Sequence, residues 1–346
     1  MKKSYKKILY LGSFSPPIGG VTVLSAQLYE YLNKKNIQID LIDFNKRKNI
    51  KLLKSFLSSI LKCDVVTFQY GNIISYYGKR EIILFVIAKI LRRKIIFRCF
   101  GGNASERYKK YSTLKKLLLK YTFLSSDVIF FETIENLNYF KSITKKNNIF
   151  WFPNNKYYNN DVIIEKRKAK RFCFFGQIKS SKGIYEIYKA CKNIFCDIEV
   201  HLYGPIGFDI DKSIINELEK YSIARYMGNV ESSMVMDVMN TYDVLLLPTY
   251  YDGEGYPGCI LEAFSLGIPV ISTNWKSIPE IVDESCGELI EIKNYEELRK
   301  KIISYNTNDK VYNEKRIGAL KKAKQFDSVY WNEFFVEKYK NIYNKR

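Results

Sequence analysis

The 346-residue chain is poor in the residues that several classes of protein require. Its single histidine, His201, lies in a strand-like run of the second half, which excludes a Ser-His-Asp hydrolase built on the first half. The seven cysteines form no Cys-x-x-Cys pair and no spacing typical of zinc. Because Cys63, Cys99 and Cys173 lie in or beside apolar runs, we interpret them as reduced core residues of a cytoplasmic protein. No metal is predicted.

Long apolar runs are missing as well. The longest, over residues 82–91, is interrupted by Lys89 and is too short to cross a bilayer. The first residues, Met-Lys-Lys-Ser-Tyr-Lys-Lys, lead directly into a strand-like run, which leaves no room for a signal peptide. We therefore expect a cytoplasmic protein.

Acidic residues are scarce in the first half only. Residues 1–150 hold 28 Lys and Arg against 9 Asp and Glu, whereas residues 151–346 hold 28 against 27. Nearly all of the net charge of +20 therefore belongs to the first half. This asymmetry indicates an anionic partner for that half, a nucleic acid or an anionic membrane, although general lysine usage is an alternative explanation.

The basic residues flank apolar segments and do not form one run. Apolar residues at 52, 53, 56, 57, 60 and 61 follow helical spacing after Lys46-Arg47-Lys48, and basic residues also surround 82–91 and 114–119. A basic amphipathic helix suits a membrane surface, whereas a core-packed helix with a solvated lysine face is the alternative. Three such segments favour the membrane, and no RNA-binding motif is visible. We expect peripheral attachment to the inner face of the cell membrane and no nucleic-acid partner.

Strand-like and helix-like stretches alternate along the whole chain, which predicts βαβ units and parallel sheets. The alternation stops at a polar segment near residue 154 and restarts near residue 172. We expect a first domain over 1–153, a linker over 154–170, a second domain over 171–327 and a last helix over 328–346. The helices expected inside the domains include one over 107–124 and one over 231–241.

The segment 252–280 is the most informative about chemistry. Glu254 and Glu262 stand eight positions apart around a Gly-Tyr-Pro-Gly turn, and the second lies on an apolar run that predicts a helix. A strand-like run follows, and this order of loop, helix and strand presents N–H groups to a phosphate in an open α/β sheet. The segment resembles the E-x7-E region of retaining GT-B glycosyltransferases of family 4 (glycosyl transferases group 1).

The resemblance implies an α/β fold of the GT-B type, with two Rossmann-like doubly wound domains facing across a cleft. In that family the first domain binds the acceptor, the second binds the nucleotide sugar, and the last helix commonly returns to the first domain. The resemblance implies retaining transfer of a hexose to a polyprenyl-diphosphate-linked or surface polysaccharide acceptor, as in capsule or lipopolysaccharide. The co-substrate that the family implies is a uridine diphosphate sugar, and no cofactor is expected. A histidine that many relatives carry in the first domain is absent here.

The resemblance also assigns roles to single residues of the second half. Glu254 matches the glutamate that contacts the sugar hydroxyls, and Glu262 matches the one that holds the ribose. Lys182, in a loop similar to the family's Gly-Arg-x4-Lys-Gly, matches the lysine that pairs with the diphosphate. The arginine position of that loop holds Gln177, which brings no charge. Lys179 is a hypothetical substitute for the missing cation.

The turn between the two glutamates is expected to contact the donor. Proline has no N–H group, so Pro257 cannot donate to a phosphate, and donation must come from Gly258 and Cys259. We include Tyr256 of the same turn among the donor-binding residues.

Three further segments match the family more loosely. Gly19 and Gly20 resemble the glycine pair that lets the backbone approach the donor phosphate, although a tight turn has the same pattern. Asn229 and Val230 resemble the segment that meets the nucleobase. The Gly101-Gly102-Asn103 segment follows a predicted strand and is a candidate for the acceptor side.

Two other functions remain open from the sequence. Gln177 and Pro257 depart from the family pattern, which is compatible with a catalytically impaired GT-B scaffold that binds a membrane or nucleic acid. The retained Glu254, Glu262 and Lys182 argue against such a scaffold. A nucleotide-sugar epimerase needs further acid/base carboxylates or a bound cofactor, and the sequence contains no matching cluster.

Overall fold

A computed structural model describes residues 7–14, 19–44, 49–71, 79–158, 168–192, 194–211 and 213–344. The chain divides into two compact units. The first unit consists of Met1–Asn154 and Val329–Arg346, and the second consists of Asn155–Ser328. Residues 159–167 of the expected linker and the Lys46-Arg47-Lys48 triplet lie outside the described residues.

The first unit alternates strands and helices around one sheet. Its elements are β1 Ile8–Gly12, α1 Gly20–Lys34, β2 Ile39–Asp43, α2 Asn49–Ile60, β3 Val65–Gly71, α3 Lys79–Ile90, β4 Lys94–Phe100, α4 Ala104–Lys109, α5 Thr113–Tyr121, β5 Val128–Phe131, α6 Ile134–Thr144 and β6 Ile149–Trp151. All strands are parallel, in the order β2-β1-β3-β4-β5-β6. The chain moves one way along the sheet from β1 to β2 and the other way thereafter. Right-handed crossovers therefore place α1 on one face and α2, α3, α5 and α6 on the other.

Two cores separate the faces of this sheet. Along β1, Leu9 and Leu11 pack with α2, α3 and α5, whereas Ile8 and Tyr10 pack with α1. This alternation is the period of two that a strand buried on both faces requires.

One predicted helix of the first unit is wrong in its extent. The expected single helix over 107–124 is two helices, α4 and α5, followed by a short 3₁₀ turn, Phe123–Ser125. The Ser112 hydroxyl accepts a hydrogen bond from the Lys115 N–H and so caps a new helix start. Helical spacing of apolar residues does not register such a cap.

The second unit repeats the architecture. Its elements are β7 Arg171–Phe175, α7 Ile184–Cys191, β8 Glu199–Tyr203, α8 Ser213–Tyr221, β9 Ala224–Gly228, α9 Val235–Met239, β10 Val244–Leu247, α10 Gly258–Ser265, β11 Val270–Thr273, β12 Gly287–Ile290, α11 Tyr295–Thr307 and α12 Asp309–Ala323. The parallel order is β12-β11-β10-β7-β8-β9, so the direction of winding reverses between β7 and β10. Ligands of doubly wound sheets bind at such a reversal, beyond the carboxyl ends of the strands. The helix expected over 231–241 is the shorter α9.

The last helix, α13 Ser328–Asn344, packs on the first unit. Trp331, Phe335 and Tyr339 lie in the core on the α1 face of the first sheet. The Trp331 ring meets Trp151 of β6 edge-on, with centroids 5.0 Å apart. The chain therefore returns to the unit in which it began.

Candidate active site

The reversal between β7 and β10 brings two loops of the second unit together. The loop after β7 contains a 3₁₀ turn, Ser180–Lys182, and ends at Gly183. The Tyr250 N–H, after β10, donates to the Ser181 carbonyl at 2.8 Å. A Cβ atom on Gly183 would lie 2.2 Å from the Pro248 carbonyl oxygen, and its φ is +82°, so only glycine fits.

This contact places Lys182 beside Glu254. The Lys182 Nζ lies 2.6 Å from the Glu254 Oε2, and the Thr249 hydroxyl donates to the same oxygen at 2.6 Å. The Glu254 residue is 6% exposed, so these two partners compensate the loss of water around the carboxylate. The structure thus brings together the two residues that the sequence predicts as catalytic.

Residues 249–257, which we call the glutamate turn, are held by hydrogen bonds within the turn and from residues at the end of β11. The Glu254 N–H donates to the Tyr251 carbonyl at 3.1 Å, and the Trp275 indole donates to the same carbonyl at 2.9 Å. The Thr273 hydroxyl at the end of β11 donates to the Thr249 carbonyl. Because β10 and β11 are paired strands, the turn is fixed to the frame of the sheet.

The second glutamate lies on α10, which begins at Gly258. The N–H groups of Gly258 and Cys259 therefore belong to the first turn of a helix, where no intrahelical acceptor exists. The Glu262 Oε1 lies 2.6 Å from the Nζ of Lys156, and their side chains are 16% and 15% exposed. Lys156 lies in the segment 154–170 that the sequence predicts as a linker, and no motif marks it.

Tyr256 has an interior position. Its side chain is buried, its hydroxyl donates to Glu280, and its ring meets Phe326 edge-on at 6.0 Å between centroids. These contacts fix the turn. Contact of Tyr256 with the donor stays a prediction.

The two lysines of the loop after β7 approach one aromatic ring. The Lys182 Nζ lies 5.0 Å and the Lys179 Nζ 5.6 Å from the centroid of Tyr251. The Lys179 Nζ also lies 5.5 Å from the Phe208 centroid. Gln177, at the position of the family's arginine, is exposed.

Asn229 and Val230 lie farther along the same edge of the sheet. They follow β9, the outermost strand, which is separated from β7 by β8. Adjacent strands are about 4.8 Å apart, so these residues start roughly 10 Å from the loop that carries Lys182. Asn229 is exposed and Val230 is half-buried.

The candidate residues of the first unit form two separate groups there. Gly19 precedes α1 and Gly20 opens it, and no described atom lies within 4 Å of a Cβ added to either. The Gly101–Asn103 segment follows β4 and is held from within. The Glu132 carboxylate accepts from the Gly101 N–H at 2.7 Å, and Asn136 donates to both glycine carbonyls.

A buried arginine below this segment was not found from the sequence. Arg98 is 1% exposed, and its guanidinium lies 4.2 Å from the ring centroids of both Phe100 and Phe152. One of its nitrogens donates to the Pro153 carbonyl at 3.4 Å. Burial lowers the pKa of Arg98 to about 9. A lone arginine in an apolar strand carries no sequence signal that separates it from a surface residue.

Comparison with known proteins identifies the second unit. Residues 159–324 match the model of the family described as Glycosyl transferases group 1. This region of the chain is similar to that family, and the match lies within the second unit. Lys182, Glu254 and Glu262 all lie within the matched glycosyl transferase region.

Curated proteins similar to this chain match it over both units. The chain is 25% identical to the O-antigen biosynthesis glycosyltransferase WclY of Escherichia coli, over 98% of each chain. It is 27% identical to the capsular polysaccharide biosynthesis glycosyltransferase CapH of Staphylococcus aureus, over 74% of this chain and 72% of the relative.

Solved structures confirm the fold. Anabaena HepE in complex with UDP is similar with a TM-score of 0.71 at 13% identity, over 96% of this chain and 98% of that one. Sucrose-phosphate synthase from Thermosynechococcus elongatus gives a TM-score of 0.72 at 12% identity, over 99% and 100%. The architecture of two parallel six-stranded sheets flanked by helices is the GT-B fold that the sequence predicts.

Proposed function

We propose that this glycosyltransferase moves a hexose, with retention of configuration, from a nucleotide diphosphate sugar to a lipid-linked or surface polysaccharide acceptor. The observation that carries the proposal is the pairing of Lys182 with the buried Glu254 at 2.6 Å, at the reversal point of a doubly wound sheet. Departure of a diphosphate builds negative charge, and a fixed ammonium group next to backbone N–H donors stabilises that charge.

In this proposal, different residues bind the diphosphate, the sugar and the ribose of the donor. Lys182 has three N–H donors, so it can bind the diphosphate while it remains bonded to Glu254. The carboxylate, held by Thr249, then accepts hydrogen bonds from the sugar hydroxyls. Glu262 accepts from the ribose hydroxyls, and the first N–H groups of α10 face the phosphates.

Retention is compatible with this set of groups. In the described part of the second unit the only histidine, His201, is hydrogen-bonded through Nδ1 to the Tyr242 hydroxyl at 2.8 Å. It lies in β8, away from the loops that hold Lys182 and Glu254. We propose that the departing phosphate takes the acceptor proton, which requires no protein base.

The acceptor class is supported by the relatives. WclY is named for O-antigen biosynthesis and CapH for capsular polysaccharide biosynthesis, and WclY is matched over both units. We infer that a growing surface glycan on a lipid carrier is the acceptor here as well. Its binding is proposed for the first unit, with the Gly101–Asn103 segment as one part of that site.

We also propose that the first unit binds an anionic membrane surface. Its helices α2, α3 and α5 cover one sheet face, and each has large apolar side chains on its outer side. The exposed side chains on these helices, together with Leu61 directly after α2, are Leu53, Leu57, Ile83, Val86, Ile90, Leu114, Leu117, Leu118 and Tyr121. Lysines lie among them, as in the Thr-Leu-Lys-Lys-Leu-Leu-Leu-Lys-Tyr sequence of α5. A face that combines apolar and cationic groups suits the headgroup region of a bilayer. No helix in the described ranges has the length and apolar content to cross one.

Thermal melting with nucleotides tests the donor site. Uridine, guanosine, adenosine and cytidine diphosphates and their sugars are compared on the wild type and on Glu262→Ala. We expect one base to raise the melting temperature of the wild type and to lose most of that effect in the variant. A folded wild type that responds to none of them would contradict the donor proposal and favour a scaffold. With the identified donor, NMR of the anomeric proton of the product distinguishes retention from inversion.

A further inference from the structure

We propose that Lys156 is a donor-site residue that supplies the phosphate-binding charge missing at Gln177. This inference rests on the proposed function, because it names a further residue of the same nucleotide site. The Lys156 Nζ is bonded to Glu262, the residue that we propose for the ribose, across 106 positions of sequence.

The backbone of Lys156 is fixed within the second unit. Its N–H donates to the Phe326 carbonyl at 3.0 Å, and its carbonyl accepts from the Ser328 N–H at 2.9 Å. The same Phe326 meets the ring of Tyr256 in the glutamate turn. The turn, the 326–328 segment and Lys156 are therefore one connected group, and the lysine side chain is aimed from a rigid base.

The ammonium group lies at the beginning of α10. A Cβ added to Gly258, the first residue of that helix, would lie 3.6 Å from Cε and 3.8 Å from Nζ of Lys156. The start of a helix carries partial positive charge and is unfavourable for a cation. Glu262 compensates this in the free protein. An anion placed between the ammonium and the first N–H groups of α10 would be favourable to both.

This position suits a diphosphate. In the proposed complex the ribose hydroxyls donate to Glu262, and the ammonium of Lys156 turns from that carboxylate to a phosphate oxygen. Lys179 is the substitute that the sequence predicts, and its ammonium group lies over the rings of Phe208 and Tyr251. Lys156, by contrast, contacts Glu262, the residue that we propose for the ribose.

The affinities of ligands with and without phosphate groups test the inference. Calorimetry compares the nucleoside, monophosphate and diphosphate of the base found in the melting experiment, on wild type and Lys156→Gln. A charge-assisted hydrogen bond contributes about 1.5–3 kcal/mol, so we expect the diphosphate to bind about tenfold or more weakly in the variant. Binding of the nucleoside should change less than about twofold, since no phosphate is present. The salt dependence of diphosphate affinity should also become weaker.

Two further variants make the result specific. Adding Gln177→Arg to Lys156→Gln should restore most of the lost diphosphate affinity, because it returns a cation at the family's own position. Lys301→Ala removes a lysine that is also 2.6 Å from a glutamate, Glu288, on another part of the second unit, and should leave both ligands unaffected. Melting curves without ligand establish that each variant is folded.

The outcomes separate the two proposals. Equal losses for nucleoside and diphosphate would mean that Lys156 only positions Glu262. No loss for either ligand would mean that the ion pair has no part in nucleotide binding. Either result overturns the inference while wild-type binding stands. A wild type that binds no nucleotide overturns the proposed function itself, and the inference with it.

Discussion

The two units share an architecture but differ in almost every surface property. Both are parallel six-stranded sheets with one reversal of winding. The first half of the chain carries nearly all of the net charge of +20, and its unit exposes rows of apolar side chains along three neighbouring helices. In the second half charges nearly balance, and the second unit's exposed large apolar residues, among them Phe195 and Ile317, are scattered.

This difference indicates where each kind of selection acts. The family match covers residues 159–324, within the half that has the paired Lys182 and Glu254. A nucleotide donor is a small molecule common to many enzymes, so its site needs the same few groups at the same strand ends. The acceptor and the membrane surface that we propose for the first unit are expected to differ between enzymes.

The largest expected effect separates catalysis from surface binding. Glu254→Ala removes the carboxylate that holds Lys182 and that we propose for the sugar hydroxyls. We expect the rate of transfer to fall by about 10²-fold or more. Co-sedimentation with anionic liposomes should be unchanged, because we propose the first unit for that binding. Loss of both properties, in a variant that still melts cooperatively, would contradict this division of labour.

One glycine from each unit, Gly183 and Gly20, allows the packing around the backbone to be compared. In the second unit, Gly183→Ala places a Cβ 2.2 Å from the Pro248 carbonyl oxygen at a φ of +82°. We expect a loss of about 2–4 kcal/mol in the free energy of unfolding. Gly20→Ala in the first unit meets no described atom within 4 Å and lies at a helix start, so stability should change by less than about 0.5 kcal/mol.

Urea denaturation measures the free energy of unfolding of both variants, and transfer kinetics measure their activity. Gly20→Ala should still reduce the rate of transfer if Gly19 and Gly20 make room for the donor phosphate. Unchanged kinetics in this stable variant would show that the pair is only a turn.

The apolar rows of the first unit provide a smaller, graded effect. Replacing Leu114, Leu117 and Leu118 of α5 by serine removes side chains that are 77%, 47% and 40% exposed. Little folding stability depends on them, whereas each leucine that enters a bilayer contributes on the order of 1 kcal/mol. We expect binding to anionic liposomes to weaken about tenfold or more. Binding to heparin or RNA in place of liposomes would identify a nucleic-acid surface instead.

Phe195→Ser is the matched control in the second unit, since that ring is 94% exposed. It should leave liposome binding unchanged. An equal loss in both variants would indicate that general hydrophobicity, and not the face formed by α2, α3 and α5, governs attachment.

The parts of this protein that sequence predicts are those governed by local periodicity and strand order. Lys182 and Glu254 lie 72 positions apart, yet each follows a strand, and the two strands are neighbours at the reversal of the sheet. The alternating strand and helix pattern predicts the parallel sheet, and the resemblance to family 4 glycosyltransferases assigns both residues to one site. The break at Ser112 was missed because one capping hydroxyl outweighs a continuous apolar period.

Lys156 could not be predicted for a different reason. Its position depends on backbone bonds to Phe326 and Ser328, which lie 170 or more residues away and outside any motif. Its polar surroundings in sequence are typical of a linker. Arg98 was missed similarly, because its aromatic neighbours become known only when β4 and the 152–153 segment are placed together.

A buried carboxylate of the second unit gives a small effect that depends on pH. Glu186 lies in the first turn of α7 and is 9% exposed, and its Oε2 has no hydrogen-bond partner among the described residues. Burial raises its pKa above the ordinary value. A raised carboxyl pKa means that the folded state binds the proton more tightly than the unfolded state. The charge therefore destabilises the fold at neutral pH, and the penalty disappears as the pH falls below the unfolded pKa, near 4.5.

Glu186→Gln should accordingly stabilise the protein at pH 7.5 by up to about 1 kcal/mol, with the gain shrinking toward zero near pH 4.5. Glu296→Gln is the control, because Glu296 also lies in the first turn of a helix, α11, but is exposed. Loss of its favourable interaction with the helix start should reduce stability by a few tenths of a kcal/mol. Urea midpoints across this pH range measure both. A Glu186→Gln gain that is constant with pH would show that side-chain shape, and not the charge, is responsible.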